Sequence, residues 1–292
     1  MRYDVRAVIG YSYESAASAS RHLVRLKPID LPGVQRLVAS HLKVKPQPDE
    51  WTSRTDFFGN QVAEVAFLEP HSEISFELRS RVEVSVRAQS LDITPRLGPL
   101  AAEIQAVHQL DAASPHHFTG SSIRSPLHPE TTAYAKRIVA DSPSVLSAVE
   151  AVGRTLHEEM TFDADATTVD TPMREAFAAR HGVCQDFSHI MISALRGVGI
   201  PAGYVSGFLR TNPPEGQPRL EGADAMHAWV MAWCGSEGGW IEYDPTNAVF
   251  AGTDHILVAR GRDFADVSPV RGTMRTSGDH TSVQQVDVIP VS

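Results

Sequence analysis

The segment Gly182–Phe187, with the sequence GVCQDF, decides how the second half of this 292-residue chain is organised. It places Cys184 in the first turn of a stretch whose apolar residues recur with helical spacing. Two glycines and then Pro201 end that stretch. The pattern predicts an amphipathic helix with one side in a core and a cysteine at its N-terminus. The apolar positions of the predicted helix are Phe187, Ile190, Met191, Ala194, Leu195 and Val198.

Two strand-like segments downstream carry a histidine and an aspartate. His227 lies in the apolar run 225–233, and Asp244 ends the run 239–244, 17 residues later. Runs of this kind indicate buried strands, and the separation suits neighbours joined by a short turn. A thiol reacts as the thiolate, which a helix N-terminus and a nearby imidazolium both favour. We therefore expect Cys184 as a nucleophile, His227 as its acid and base, and Asp244 as the group that orients the imidazole.

Each of these residues also has a purely structural explanation. Cys184 can be a small buried apolar residue, His227 a hydrogen-bonded core histidine, and Asp244 the cap of a turn. The order helix, strand, strand makes the joint assignment stronger than any single one. A metal site formed by the cysteine with His181 and His189 is a further alternative. No metal and no cofactor are expected, because the chain lacks a zinc-protease helix motif and a glycine-rich phosphate loop.

The composition favours an acidic globular protein in a reducing compartment. Hydrophobic residues make up 42% and charged residues 21%, which is sufficient for a packed core. The net charge of −9 argues against nucleic acid or an anionic membrane as a partner. No apolar run is long enough for a membrane-spanning helix, and the N-terminus lacks the features of a secretory signal. Cys184 and Cys234 are the only cysteines, so we expect a cytoplasmic location, with a bridge between them as an open alternative.

The pattern of apolar residues changes near Pro95. Before it, apolar and polar residues alternate as in half-buried antiparallel strands, and the segment Asp56–Asn60, DFFGN, is interpreted as a hairpin turn. The predicted strands of this part lie around residues 5–9, 22–26, 61–67, 74–78 and 82–86. After it, helical spacing begins at residue 97, and Ser142 with Pro143 is interpreted as the N-cap and first position of a later helix. Strands dominate again after Pro201, and a loop at 211–224 and a turn at 236–239 separate some of them. The predicted strands are 202–209, 225–233, 239–244, 255–259 and 283–290.

This order of elements predicts an α+β fold with three regions. Residues 1–92 are expected to form an N-terminal β-rich domain, and residues 93–272 a catalytic core. Residues 273–292 are expected to form a C-terminal tail that returns to a sheet as a strand.

Four segments together resemble the transglutaminase-like superfamily, a branch of the papain-like cysteine enzymes. The β-rich front with its DFFGN turn is similar to the N-terminal region of bacterial transglutaminase-like cysteine proteases. The resemblance covers most of the chain and is most specific over about residues 172–250. The four segments are 182–189 (GVCQDFSH), 195–202 (LRGVGIPA), 227–230 (HAWV) and 240–247 (WIEYDPTN).

The resemblance implies a papain-like core, with the nucleophile helix packed on an antiparallel sheet and a triad of Cys184, His227 and Asp244. It implies a cysteine-dependent enzyme that acts on peptide or protein amides through a thioester. Water as acceptor gives a peptidase or amidase, which the front domain favours, and an amine gives an acyltransferase. The backbone N–H of Cys184 is the expected first oxyanion donor. A catalytically silent peptide-binding module is the alternative. The second donor, the natural substrate and the oligomeric state stay open.

Overall fold

The structure, a computed structural model, describes residues 1–85, 91–211, 222 and 224–291. Part of the loop predicted at 211–224 and the predicted strand residue Val86 lie outside these residues. Within them, no helix combines the length and the apolar character needed to cross a membrane. The strands are β1 (Arg2–Val24), β2 (Gln35–Lys45), β3 (Glu50–Thr55), β4 (Gln61–Phe67), β5 (His71–Val84), β6 (Thr161–Phe162), β7 (His181–Gly182), β8 (Ala202–Leu209), β9 (Ala225–Trp233), β10 (Trp240–Asp244), β11 (Val249–Phe250), β12 (His255–Gly261), β13 (Val270–Arg275) and β14 (His280–Val291). The helices are α1 (Leu97–Ala106), α2 (Pro129–Ile138), α3 (Val145–Glu159), α4 (Met173–Ala179), α5 (Cys184–Gly197), α6 (Gly235–Gly238) and α7 (Phe264–Val267), with a 3₁₀ helix at Pro115–Phe118.

The long first strand organises the N-terminal sheet, whose order is β2-β5-β1-β4-β3. Along one edge β1 pairs antiparallel with β5 and then β4, and along the other with β14 and then β13. The sequence predicted separate strands around residues 5–9 and 22–26, and these are the two halves of β1. A register shift between Ser12 and Ala17 separates their partners. The last residues of the chain therefore lie in the sheet that its first residues begin, and the predicted domain boundaries stay predictions.

Helix α5 packs on a five-stranded antiparallel sheet of order β11-β10-β9-β8-β12. Every residue from Gln185 to Arg196 is buried, so the prediction of a helix with only one side in a core is wrong. Helices α2, α3 and α4 also pack against it, and its polar side chains find internal partners there. Ser193 donates to the carbonyl of Pro126, and Arg196 donates to the carbonyl of Ala202. This combination of helices and sheets confirms the α+β class.

Helix α3 begins two residues later than predicted, because its cap is Ser144 rather than Ser142. The Ser144 backbone is extended, and its hydroxyl accepts the N–H of Ser147 at 3.1 Å. The Thr94 hydroxyl accepts the N–H of Leu146, an interaction from far along the chain that local sequence does not reveal. The turn predicted at 236–239 is largely the one-turn helix α6.

Two buried amide side chains fasten the N-terminal sheet to strand β12. Asn60 ends the DFFGN turn of the β3–β4 hairpin, and its amide bonds both the carbonyl and the N–H of Arg260. Gln35 bonds both backbone groups of Leu257 in the same way. Each amide replaces a pair of strand hydrogen bonds, so the N-terminal sheet is held in a fixed position beside the core.

Candidate active site

Cys184 is the first residue of α5 and is partly exposed. The turn before it is fixed by Asp186, whose Oδ2 accepts the backbone N–H of Val183 at 2.9 Å and the hydroxyl of Thr167 at 2.6 Å. A side chain at Gly182 would lie 2.6 Å from that same oxygen, so the turn requires glycine there. Cys184 therefore lies at the start of a helix, a position where the helix dipole favours negative charge.

His227 and Asp244 lie on the neighbouring antiparallel strands β9 and β10 and form a buried pair. Nε2 of His227 is 2.7 Å from Oδ2 of Asp244, and His227 lines the same cleft as Cys184. Since Nε2 faces the carboxylate, Nδ1 is the atom left for the sulfur. Burial lowers the pKa of His227, but the bonds to Asp244 and Cys184 outweigh it and raise that pKa to about 10. The three predicted residues therefore meet in one place.

The Asp244 carboxylate both caps a turn and forms a hydrogen bond with the ring of His227. Its Oδ1 accepts the backbone N–H groups of Thr246 and Asn247, and its Oδ2 accepts the Asn247 side chain at 2.7 Å. Burial raises the pKa of this carboxyl, but the bonds from His227 and His255 more than offset it and hold the pKa well below its usual range. The same carboxylate therefore caps a turn and is hydrogen-bonded to His227, and its orienting role stays a prediction.

His255 is a second histidine on Asp244, and the sequence analysis did not assign it. Its Nδ1 accepts the backbone N–H of Gly252 at 3.2 Å, so the proton of the ring lies on Nε2. That Nε2 is 3.1 Å from Oδ2 of Asp244. The sequence does show a histidine at the start of a strand, but not that β12 brings it to the carboxylate.

A second buried carboxylate lies two residues before Asp244. Glu242 accepts the indole N–H of Trp229 at 2.8 Å and also pairs with Arg260. The Trp229 ring is fully buried, stacked near His227 and edge-on to His255. The indole therefore packs beside both imidazoles that face Asp244.

The same cluster offers the groups that a metal ion would need. Among the described residues, one ligand atom each from His227, Asp244 and His255 lies within 4.8 Å of the others. Both Nε2 atoms, however, face the carboxylate in hydrogen-bonding geometry, so a metal would have to replace a proton on each ring. The geometry of His227, Asp244 and His255 therefore fits a hydrogen-bonded cluster better than a metal centre.

The metal alternative with the histidines that flank Cys184 does not fit the geometry. Nε2 of His189 is buried and accepts the backbone N–H of Phe264 at 3.2 Å. Burial lowers the pKa of His189 to about 3, so the ring is neutral. His181 lies in the short strand β7, before the turn that leads into α5. The contacts of His189 therefore support a structural role for this buried ring.

Both cysteines are free thiols, so the two do not form a bridge. Cys234 is fully buried, and burial raises its pKa to about 12, with a smaller contribution from Asp92. A neutral buried thiol is chemically inert. The partly exposed Cys184 is therefore the reactive candidate.

A cleft of about 420 Å³ opens at the cysteine and lies between the core and the N-terminal sheet. A larger hollow of about 770 Å³ lies on the N-terminal sheet, but no cysteine lines it, so the chemistry points to the smaller cleft. The core side of the cleft includes Cys184, Tyr204, Met226 and His227, and the sheet side includes Tyr11, Ser282, Val283 and Gln284.

Comparisons with known proteins agree with this architecture. Residues 3–83 match the family described as the bacterial transglutaminase-like N-terminal region, and residues 132–245 match the transglutaminase-like superfamily. An uncharacterized protein of Mycobacterium tuberculosis (strain ATCC 25618 / H37Rv) is 33% identical over 302 residues, covering 99% of this chain and 93% of its own length. An uncharacterized protein of Mycobacterium leprae is 32% identical over 266 residues, covering 90% and 89%.

One solved structure extends the likeness to the whole fold. The crystal structure named "Putative Cysteine Protease" from Cytophaga hutchinsonii superposes with a TM-score of 0.75 at 20% identity, covering 100% of this chain and 92% of that chain. At this identity the likeness shows the fold alone, and it confirms the predicted transglutaminase-like architecture with a β-rich front. With both regions matched and relatives similar along nearly the full length, the chain belongs to the transglutaminase-like superfamily.

Proposed function

We propose that this protein is a cysteine-dependent enzyme that cleaves or transfers amide bonds through a Cys184 thioester. The observation that carries the proposal is the shared cleft, where a partly exposed thiol at a helix start faces an imidazole hydrogen-bonded to a buried carboxylate. This is the arrangement that activates a sulfur nucleophile. The substrate class is peptide or protein amides.

The proposed reaction has two halves. The Cys184 thiolate attacks the amide carbonyl, a C–S bond forms, and His227 gives its proton to the leaving amine as the C–N bond breaks. In the second half, neutral His227 takes a proton from the acceptor, which attacks the thioester carbonyl and releases the sulfur. Asp244 keeps the imidazole in the tautomer and orientation that both proton transfers need.

Tyr204 is our candidate for the second oxyanion donor beside the backbone N–H of Cys184. Its ring is buried and lines the cleft together with the cysteine. Burial raises the pKa of Tyr204 well above its usual value, and negative charge on Cys184 raises it further. The hydroxyl therefore keeps its proton and can donate a hydrogen bond to a developing oxyanion.

Water is the acceptor that we favour, which makes the protein a peptidase or amidase. Hydrolysis requires only that water reach the thioester, and the open cleft allows this. The DFFGN-bearing front, which resembled bacterial cysteine proteases in the sequence, supports the same choice. Two free cysteines fit the reducing cytoplasm that we propose as its location.

Dye-labelled casein tests both the reaction and the acceptor. Release of small labelled peptides would support hydrolysis, and covalent incorporation of added dansylcadaverine into casein would support transfer. Both should vanish in Cys184→Ala. Turnover that persists in that variant would place the chemistry elsewhere.

The silent peptide-binding module is distinguished by thiol reactivity. Labelling of Cys184 faster than the buried Cys234 does not suffice, because burial alone slows the latter. The sharper comparison is the rate of iodoacetamide labelling of Cys184 in wild type and in His227→Gln. A clear drop in the variant indicates a thiol activated by His227, and equal rates favour the silent module.

A further inference from the structure

Strand β14 has a backbone edge that faces away from β1. Asp279, the residue just before β14, accepts the backbone N–H of Glu14 in β1. Backbone groups alternate in direction along a strand, so the N–H and C=O groups of the odd-numbered residues of β14 point toward β1. The backbone groups of the even-numbered residues point away from β1. The carbonyl of Val286 shows this, because it accepts the N–H of Asp224 from outside the sheet. Pro290, which has no N–H to donate, also occupies an even position. The N–H and C=O groups of Ser282 and Gln284 therefore point outward.

No described residue pairs with this edge between His280 and Gln284. These residues are exposed, and Val283 keeps 63% of its surface accessible. Ser282, Val283 and Gln284 also line the cleft that contains Cys184. A strand edge that pairs with none of the described residues therefore forms one wall of the candidate active site.

The composition of this edge differs from that of the other edge strands of the sheet. Exposed edges are usually protected against unwanted pairing by charged residues or proline. β2 carries Arg36, Lys43 and Lys45, and β3 carries Glu50 and Arg54. The segment 280–285, HTSVQQ, has no Lys, Arg, Asp, Glu or Pro. The segment thus carries none of these protective residue types at the place where it lines the cleft.

We propose that the acyl-donor substrate is an extended polypeptide segment that adds as a strand to β14 at Ser282 and Gln284. This inference rests on the function proposed above. It identifies the substrate as an unfolded or flexible polypeptide rather than a small amide. Main-chain hydrogen bonds would give affinity with little sequence preference. The bridge from Asp224 to Val286 shows that this side of β14 already accepts an antiparallel partner next to the free stretch.

Proline substitutions test the edge without touching the triad. Ser282→Pro and Gln284→Pro each remove one outward N–H and no bond to β1, as Pro290 does in the same strand. The matched control is Ser53→Pro. Ser53 is an exposed residue of the edge strand β3, and its backbone N–H points away from β4. It does not line the cleft.

Each variant is assayed on dye-labelled casein and on p-nitrophenyl acetate, a small ester that reports the thiol chemistry alone. We expect the ratio of the two kcat/KM values to fall about three- to tenfold for each β14 variant, the size of one hydrogen bond. The double variant should lose more. Ser53→Pro should keep the wild-type ratio. An unchanged ratio in the β14 variants, or an equal fall in Ser53→Pro, overturns the proposal.

Binding separates failure of this inference from failure of the proposed function. If wild type turns over neither substrate, the proposed function fails, and fluorescence anisotropy of labelled casein on the Cys184→Ala protein then decides. Weaker binding after Ser282→Pro and Gln284→Pro, with unchanged circular dichroism, supports strand addition. Equal binding by all variants overturns it.

Discussion

The two walls of the cleft are built in opposite ways. On the core wall, His227 and Asp244 are buried, and the carboxylate accepts hydrogen bonds from two imidazoles, an amide and two backbone N–H groups. On the sheet wall, residues 280–285 are exposed, and no described residue pairs with their outward backbone groups. Both oxygens of the Asp244 carboxylate are thus hydrogen-bonded within the protein, whereas the outward backbone groups of Ser282 and Gln284 bond to none of the residues that the structure describes.

The contrast matches the different demands of the proposed chemistry and the proposed substrate binding. Proton transfer requires donor and acceptor atoms held close together, which a buried, saturated network achieves. Recognition of a variable polypeptide requires backbone groups that are free to pair. Substitutions on the core wall should therefore change kcat, whereas those on the sheet wall should change the preference for long substrates.

The largest effect is expected from removing the sulfur. Cys184→Ala should abolish turnover, because no other group in the cleft can form the thioester. Since the residue is only partly buried, the thermal midpoint should stay close to that of wild type. Steady-state assays and thermal unfolding monitored by circular dichroism check both. Substantial residual activity would contradict the role of the core wall.

Asp244→Asn is expected to reduce kcat by about 10⁴-fold through loss of the correct imidazole tautomer. It should also shift the pH profile. Burial lowers the pKa of His227 while Asp244 and Cys184 raise it to about 10, so the protonated ring is present below that pH and is lost as pH rises through it. Without the carboxylate, the alkaline limit should move to lower pH. The neighbouring Glu242→Gln, which leaves His227 its partner, should not move it.

Tyr204→Phe should lower kcat by about 10²- to 10³-fold if its hydroxyl donates to the oxyanion. The ring and its packing are kept, so KM and the alkaline limit should change little. Steady-state kinetics at several pH values measure all three. A rate within twofold of wild type would remove Tyr204 from the oxyanion hole and leave the second donor unassigned.

The core wall could be predicted from sequence because its signals are local. The helical spacing after Cys184 and the apolar runs around His227 and Asp244 specify a helix and two adjacent strands, and the four matching segments specify the family. The α+β class followed from the same patterns. What local pattern could not show was burial of α5 on both sides, since that depends on helices distant along the chain.

The sheet wall depends on pairing between the two ends of the chain, which no local pattern encodes. The sequence predicted a strand in residues 283–290, but not that β14 would lie along β1 or face Cys184. The same holds for His255. Its strand was predicted, yet only the order β9-β8-β12 and the fold of the loop at Gly252 bring it to Asp244.

The smallest effect on the core wall is expected at His255, which acts through Asp244 and does not touch the sulfur. His255→Phe keeps the ring packing near Trp229 but removes one of the hydrogen bonds that hold the carboxylate. Because the other bonds remain, we expect kcat to fall only about tenfold, as for loss of one hydrogen bond to a charged group.

A conservative variant separates this positioning role from simple packing. His255→Gln keeps an N–H donor on a side chain of similar reach, so it should recover most of the rate if the donor matters. His255→Phe fills the site better, so a packing role would rank the two variants in the opposite order. Thermal midpoints are compared to check that both variants are folded to the same extent. The ranking of the two kcat values then decides whether the network around Asp244 extends to β12 or ends at His227.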